Sequence, residues 1–469
     1  MSVLPRALVA LGFRPALLIA DSFGYMGEGV NRALGQLRPG GYPALLRLLE
    51  PFHSLLLITT LQHMLGIGVA VIVYGVLRHW GLPAWAAVLA AAPTLLDSRQ
   101  IVLESYILPD TVYGFVVIAA AGILLSKRTP RMWQGVLAGL LIAYASLLRG
   151  NGLPLIVPVL AYLLIRRVGW RSFAAATAAF AIPVLAYMSL FYADYGKFNI
   201  TNSDGFFLWA RTTSFADCSL IKPPADLVPL CPDKQPIHGP AHVRAWSLSA
   251  VLHARSPADY LWAAGAWWRH DADPGINSTN NALAMRFAID AIRAQPLDYL
   301  RVVSRDVLLT LVATDRARGA NTLRFKAKPD VAALPSYYAR DFREYAHTTS
   351  NTHLVQPYAY LLFVYQIPVY VPGMAFLAVL IVGLVGVVRN RRRWGGPGAL
   401  PWAAAVLSIV LPAALAEDLY RYVIIAVPLA CLAAGFAFVR PATEPDPAVT
   451  SAGSKEGTGL VPEARRPEI

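Results

Sequence analysis

Ten apolar stretches, separated by polar breaks, organise most of this chain. They cover roughly residues 3–20, 54–77, 82–96, 110–126, 132–148, 153–165, 172–193, 367–388, 397–415 and 419–438. Runs of this length and composition predict membrane-spanning helices, although several fall short of the ~20 residues of an ideal span. The first run is the weakest, being short, interrupted by Arg14-Pro15 and carrying Arg6. It is either an imperfect first helix or a remnant preceded by a true one upstream. It lacks a small-residue cleavage site, so a cleavable signal peptide is not expected.

Two long intervals break the alternation. Residues 21–53 contain Gly, Pro and Arg and read as an amphipathic loop. Residues 194–366 are too long for a connector. They show helical periodicity over 281–311 and hold an aromatic cluster, Trp262, Trp267 and Trp268. A small, mostly helical extracytoplasmic domain is predicted there.

Charge fixes the orientation. The formal net charge is +13, which by itself could suggest nucleic acid. The basic residues, however, cluster at the ends of apolar runs: Lys127-Arg128 and Arg131, Arg166-Arg167 and Arg171, Arg389 and Arg391-Arg392-Arg393. That is the positive-inside pattern of a membrane protein, and no nucleic-acid partner is expected. With those clusters cytoplasmic, 21–53, 97–109, 149–152, 194–366 and 416–418 face outward. The tail 441–469 then lies inside, and its Pro, Glu, Gly and Ser content predicts disorder. The domain reading is therefore 1–193 for an N-terminal membrane module, 194–366 for the outer domain, 367–440 for the last membrane helices and 441–469 for the tail.

Composition agrees: 56% of residues are hydrophobic and mean hydropathy is +0.48. Arg outnumbers Lys, with abundant Ala, Gly and Pro, as in a high-GC bacterial gene. Of three cysteines, Cys431 lies in an apolar run and reads as a core residue. Cys218 and Cys231 share the outer interval, where a disulfide is expected.

The candidate chemistry converges on the outer face. Asp21 opens the first outer interval, and a carboxylate at a membrane edge is costly to keep without a use. Arg99, Glu104 and Asp110 lie in or beside the second outer segment, Arg149 at the third, and Glu417 and Arg421 at the last. A general base with guanidiniums for an anionic leaving group is what transfer from a lipid phosphate needs. Each has a plainer reading. Asp110 follows Pro109 and can cap a helix; Arg99 and Arg149 can anchor helix ends among headgroups. His63, inside the second run, reads as a satisfied core histidine. No metal-ligand spacing, phosphate-binding loop or nucleophile elbow stands out.

The order of these residues resembles the GT-C superfamily of polytopic glycosyltransferases. The resemblance is carried by Asp21-Ser22-Phe23-Gly24-Tyr25, Arg38-Pro39-Gly40-Gly41-Tyr42-Pro43, Gln62-His63-Met64-Leu65-Gly66, the stretch Arg99…Glu104…Pro109-Asp110, and Arg421-Tyr422. The arrangement resembles the protein O-mannosyltransferase and aminoarabinose-transferase branch, and also actinobacterial cell-wall arabinosyl- and mannosyltransferases. It covers the chain to about residue 195 and again from about 367. It implies an all-α polytopic membrane protein with about ten transmembrane helices in a GT-C-like arrangement, in the plasma membrane with its active site outside. It further implies a polyprenyl-phosphate sugar donor, a glycan or other hydroxyl acceptor and inversion at the sugar; the sequence indicates no cofactor and leaves a divalent metal open. Asp21 maps onto the catalytic acid, with Glu104 and Asp110 as further catalytic candidates. Tyr25, Tyr42, Arg99, Arg149, Glu417 and Arg421 map onto substrate binding. Asp21 is followed by Ser22, without the adjacent acidic pair of the protein mannosyltransferases, which argues against a protein acceptor. A transporter or flippase of lipid-linked sugars and an O-antigen polymerase-like enzyme stay open as alternatives.

Overall fold

The computed structural model describes residues 2–235, 257–271, 273–312, 323–326, 336–348, 352–391, 396–416 and 420–439. Glu417 and the tail 441–469 lie outside the described residues. The described chain is helical, with one pair of two-residue strands.

The first apolar run does not form one helix. Helix α1 (Val3–Gly12) ends ahead of Arg14-Pro15, where proline cannot donate to a helical ladder. Strand β1 (Phe13–Arg14) follows and pairs antiparallel with β2 (His353–Leu354), in register Phe13 to Leu354. The end of the long outer interval is thereby stitched to the beginning of the chain. The interval 21–53, expected as a loop, holds two helices, α2 (Ala20–Val30) and α3 (Gly41–Leu49), packed on each other. Asp21 sits in the first turn of α2, where a negative charge suits the helix dipole.

Helix α4 (Leu55–His79) is capped by Ser54, whose hydroxyl accepts the Leu57 N–H. Helix α5 (Ala84–Leu96) bends by 49° into α6 (Ser98–Ser105). At the bend, Asp97 accepts from the backbone N–H groups of Arg99 and Val371. Helices α7 (Asp110–Leu125) and α8 (Met132–Leu148) run back along each other. Their connection carries Lys127, Arg128 and Arg131, so Asp110 and Arg149 fall together at the opposite end.

Among the described residues, three helices are long and apolar enough to cross a membrane: Leu55–His79, Trp170–Tyr195 and Gly396–Leu415. The bent α5–α6 pair makes a fourth if taken as one span. The other apolar runs form helices of 10–17 residues.

The segment 97–109 departs furthest from its expected form. It is not an outer loop: α6 is buried along its whole length. Burial is tolerable because its acid is fully compensated. The Arg6 guanidinium donates to both oxygens of Glu104, at 2.8 and 2.9 Å, and His63 Nδ1 lies 2.9 Å from Oε2. Gly66 stands where α4 must pass this carboxylate, since a Cβ there would come within 1.9 Å of Glu104 Oε1. The Gln62-His63…Gly66 pattern is thus a seat for Glu104, and His63 is a partnered core residue.

The outer interval has its own aromatic core of Phe206, Trp209, Trp267, Trp268 and Phe287. The periodicity at 281–311 corresponds to two helices, Ser278–Ala294 and Pro296–Val312, broken at Gln295-Pro296. Cys218 and Cys231 form a disulfide. One further helix, Ser336–Ala346, leaves this core and packs on α2. Phe342 meets Phe23 at 5.5 Å, Asn31 donates to Asp341 at 3.0 Å, and the Tyr345 hydroxyl donates to the Leu46 carbonyl at 2.7 Å.

Removing one partner of a buried ion pair leaves an uncompensated charge and costs about 3–5 kcal/mol. Arg6→Met should therefore destabilise the protein by that order in thermal unfolding. Adding Glu104→Gln to it should recover more than half of the loss. Additive losses in the double variant would contradict the pairing.

Candidate functional site

The site is built on the first turn of α2. Asp21 Oδ1 accepts from Arg38 Nη2 at 2.7 Å, and Oδ2 accepts from Arg421 Nη1 at 2.9 Å. Arg38 comes from the connection between α2 and α3, whereas Arg421 lies in the short helix Tyr420–Val423. The closeness to Arg38 explains Gly24: a Cβ there would meet Arg38 Nη1 at 2.5 Å.

A second ion pair lies alongside. Arg149 Nη2 donates to Asp110 Oδ2 at 2.6 Å, and Asp110 is fully buried. Arg149 and Arg421 both rest against the ring of Tyr422, at 4.6 and 5.2 Å from its centroid. Such stacking holds two like charges close by giving each the negative face of a ring. Arg38 lies 5.1 Å from the Tyr25 ring, and Tyr25 meets Tyr42 edge-on at 5.3 Å. The Tyr42 hydroxyl donates to Gln62 Oε1 at 2.9 Å, and Gln62 Nε2 donates to the carbonyls of Glu104 and Tyr106. The site is thereby tied to the α4–α6 seat.

Of the residues singled out in the sequence, Asp21, Tyr25, Asp110, Arg149 and Arg421 come together, with Tyr42 at their border. Glu104 does not join them; its carboxylate is spent on Arg6, His63 and Gln100. Arg99 lies beside Asp97, 4.4 Å from the Tyr370 ring. Three members were not assigned a role beforehand: Arg38, Tyr422 and Glu28. Glu28 follows Asp21 by seven residues, two helical turns, which returns it to the same face. That signal exists only once 21–30 is known to be helical.

Electrostatically the site favours an anion. Burial pushes the Asp21 carboxyl up, but Arg421 and Arg38 more than reverse this and hold it well below the usual carboxylate range. Glu28 differs. Burial dominates and lifts its carboxyl to about 7, with Arg38 at 3.9 Å pulling the other way. Three guanidiniums, those of Arg38, Arg149 and Arg421, thus face Asp21 and Asp110, with the Glu28 carboxyl 3.9 Å from Arg38. Arg149 Nε and Arg421 Nε are buried with no hydrogen-bond acceptor. Asp110 Oδ1 and Glu28 Oε2 are likewise buried without a partner, while Asp21 and Asp110 each pair with a guanidinium, a donor set that suits an oxyanion. Elsewhere Cys218, Cys231 and Asp233 lie within metal-ligand distances, but the two sulfurs are bonded to each other and offer no thiolate.

No protein-family model matches the sequence, and no curated protein does. Among solved structures, it is similar to the archaeal oligosaccharyltransferase AglB from Archaeoglobus fulgidus in complex with an inhibitory peptide and a dolichol-phosphate, with 14% identity and a TM-score of 0.41. The likeness covers 92% of this chain and 49% of AglB, so the chain spans about half the length of that structure. A likeness this low decides neither the fold nor the chemistry.

The Glu28 carboxyl sets a pH dependence. Its folded pKa, about 7, lies above the ordinary glutamate value of about 4.3. The stability from its protonated form is complete below the unfolded value and lost as pH rises through 7. Between pH 5 and pH 8, wild type should lose up to about 3 kcal/mol relative to Glu28→Gln, by the usual conversion of a pKa difference. Parallel unfolding curves for the two proteins at both pH values would show that Glu28 titrates normally.

Proposed function

We propose that the protein is an integral-membrane glycosyltransferase that moves a sugar from a polyprenyl-phosphate donor to a hydroxyl of an extracytoplasmic acceptor, a cell-envelope glycan. The observation that carries this reading is the convergence of Arg38, Arg149 and Arg421 on Asp21 and Asp110, with buried guanidinium Nε–H groups left without acceptors. A sugar–phosphate–lipid diester carries one negative charge and two free phosphate oxygens. Arginine forks match that geometry.

In this reading, the acceptor hydroxyl gives its proton to Asp21 as its oxygen bonds to the anomeric carbon. The bond from that carbon to the phosphate oxygen breaks, and its electron pair leaves on the lipid phosphate. A single displacement inverts the anomeric centre. Guanidiniums preorganised beside the departing oxygen stabilise the charge that grows there. Tyr25 and Tyr42 would line the approach, and the aromatic outer core with the helix Ser336–Ala346 would select the acceptor. The site would face outward, a reading supported by the basic clusters at the opposite helix ends, which would lie inside. The shorter apolar helices would then cross the membrane along with the longer ones, giving about ten crossings.

A flippase reading rests on a different feature, the Arg6–His63–Glu104 cluster between α1, α4 and α6, because ionisable groups inside apolar helices often mark a transport path. That cluster is closed and mutually paired, which disfavours it as a path.

Asp21→Asn tests the enzymatic reading. The amide keeps the shape but takes no proton at neutral pH, so transfer should fall by at least roughly 10²–10⁴-fold, the usual share of general-base catalysis. Cell-envelope glycan analysis in a deletion strain complemented with each variant supplies the readout; full rescue by Asp21→Asn at matched protein level would sink the assignment. Arg421→Lys keeps the charge but loses the planar fork, and should weaken donor binding in a protein that remains folded.

A further inference from the structure

Resting on the glycosyltransferase reading, we propose that Asp21 occupies, in the resting protein, the place of the donor phosphate between Arg38 and Arg421, and that a lipid phosphate displaces it and so releases the base. The carboxylate presents two oxygens and one negative charge, as a phosphodiester does. Each oxygen is taken by a guanidinium from a different part of the chain, at 2.7 and 2.9 Å.

Three further observations bear on exchange. Asp21 is the accessible acid of the pair: its side chain is 28% exposed, whereas that of Asp110 is fully buried. Arg38 and Arg421, at 15% and 16%, are also reachable. An incoming phosphate thus meets the Asp21 clamp first, while the Arg149–Asp110 pair stays closed. The Nε–H of Arg421, buried without an acceptor, offers a phosphate between Arg38 and Arg421 a hydrogen bond that the carboxylate leaves unmade. A buried donor without an acceptor is costly, so its satisfaction favours the exchange.

The exchange also alters reactivity. While two guanidiniums hold it, the Asp21 carboxylate is a weak base. Moving those guanidiniums to the donor phosphate restores its basicity in the complex where a proton must be taken. The order of events follows: donor first, then deprotonation of the acceptor hydroxyl by Asp21 as the sugar–phosphate bond breaks onto the phosphate. Without a donor, the base stays masked.

The test measures equilibrium binding of farnesyl monophosphate to the full-length protein in detergent, for wild type, Asp21→Asn, Asp21→Ser and Glu28→Gln. Competition predicts tighter binding to both Asp21 variants, by roughly tenfold or more, the scale on which one lost charge-assisted hydrogen bond is felt. Asp21→Ser guards against misfolding of the amide variant, and both are checked by thermal unfolding. Glu28→Gln removes an acid near Arg38 alone and should tighten binding by less than about threefold; an equal gain would reduce the effect to general electrostatics and overturn the proposal. Unchanged or weaker binding by the Asp21 variants would also overturn it, while leaving the glycosyltransferase reading intact if wild type binds. Failure of every protein to bind farnesyl monophosphate would overturn both. Inorganic phosphate as competitor separates the sources: displacement only at far higher concentration supports a lipid phosphate, and equal potency refutes it.

Discussion

Asp21 is held by Arg38 and Arg421, and this one carboxylate joins parts of the chain that sequence keeps 400 residues apart. The short helix Tyr420–Val423, the α2–α3 connection and the first turn of α2 meet there. Such a contact is unfavourable unless every charge in it is matched, because taking ions out of water is expensive. The surrounding design reads as a response to that constraint. Gly24 leaves room for Arg38, Tyr422 supports two guanidiniums at once, and Asp110 neutralises Arg149. The unpartnered Nε–H groups of Arg149 and Arg421 leave the cluster with hydrogen-bond donors that its internal ion pairs do not use.

The Arg6–Glu104–His63 seat solves the same problem in the opposite way. All its charges are matched internally and buried, so it has nothing left to offer a ligand. Its position between α1, α4 and α6 makes it a fastener for helices whose apolar faces alone specify little. The two networks touch through Tyr42 and Gln62, which links the geometry of the site to the packing of α4 against α6. The arginines of the site therefore rest on a second layer that is itself rigidly paired, the kind of support a preorganised electrostatic site requires.

The helix Ser336–Ala346 shows how the outer interval serves the site. It packs over α2 through Phe342 on Phe23, through Asp341 on Asn31 and through Tyr345 on α3. His347, just beyond that helix, stacks on His53 with ring centroids 3.7 Å apart. The β1–β2 pairing carries the chain from there back to the first helix. The interval 194–366 is thus anchored to the segment 21–53 at several points.

Much of this was legible in the sequence, for physical reasons. Apolar runs announce helices that shun water, and basic clusters announce their orientation; both depend only on composition along the chain. The grouping of Asp21, Asp110, Arg149 and Arg421 at one end of the helices followed from that alternation alone. Sequence could not separate Glu104 from Asp21, because both read as acids beside an apolar run. Only tertiary structure shows that Arg6 and His63 consume the first, whereas Arg38 and Arg421 hold the second. It also could not see that 21–53 and 97–109 are helical, since short helices are stabilised by what they pack against rather than by their own propensity. With α2 helical, Glu28 falls on the face of Asp21 and Arg38 comes within reach of both. Burial then separates the two carboxyls, which no linear pattern records because burial and charge pairing are properties of neighbours brought together by the fold.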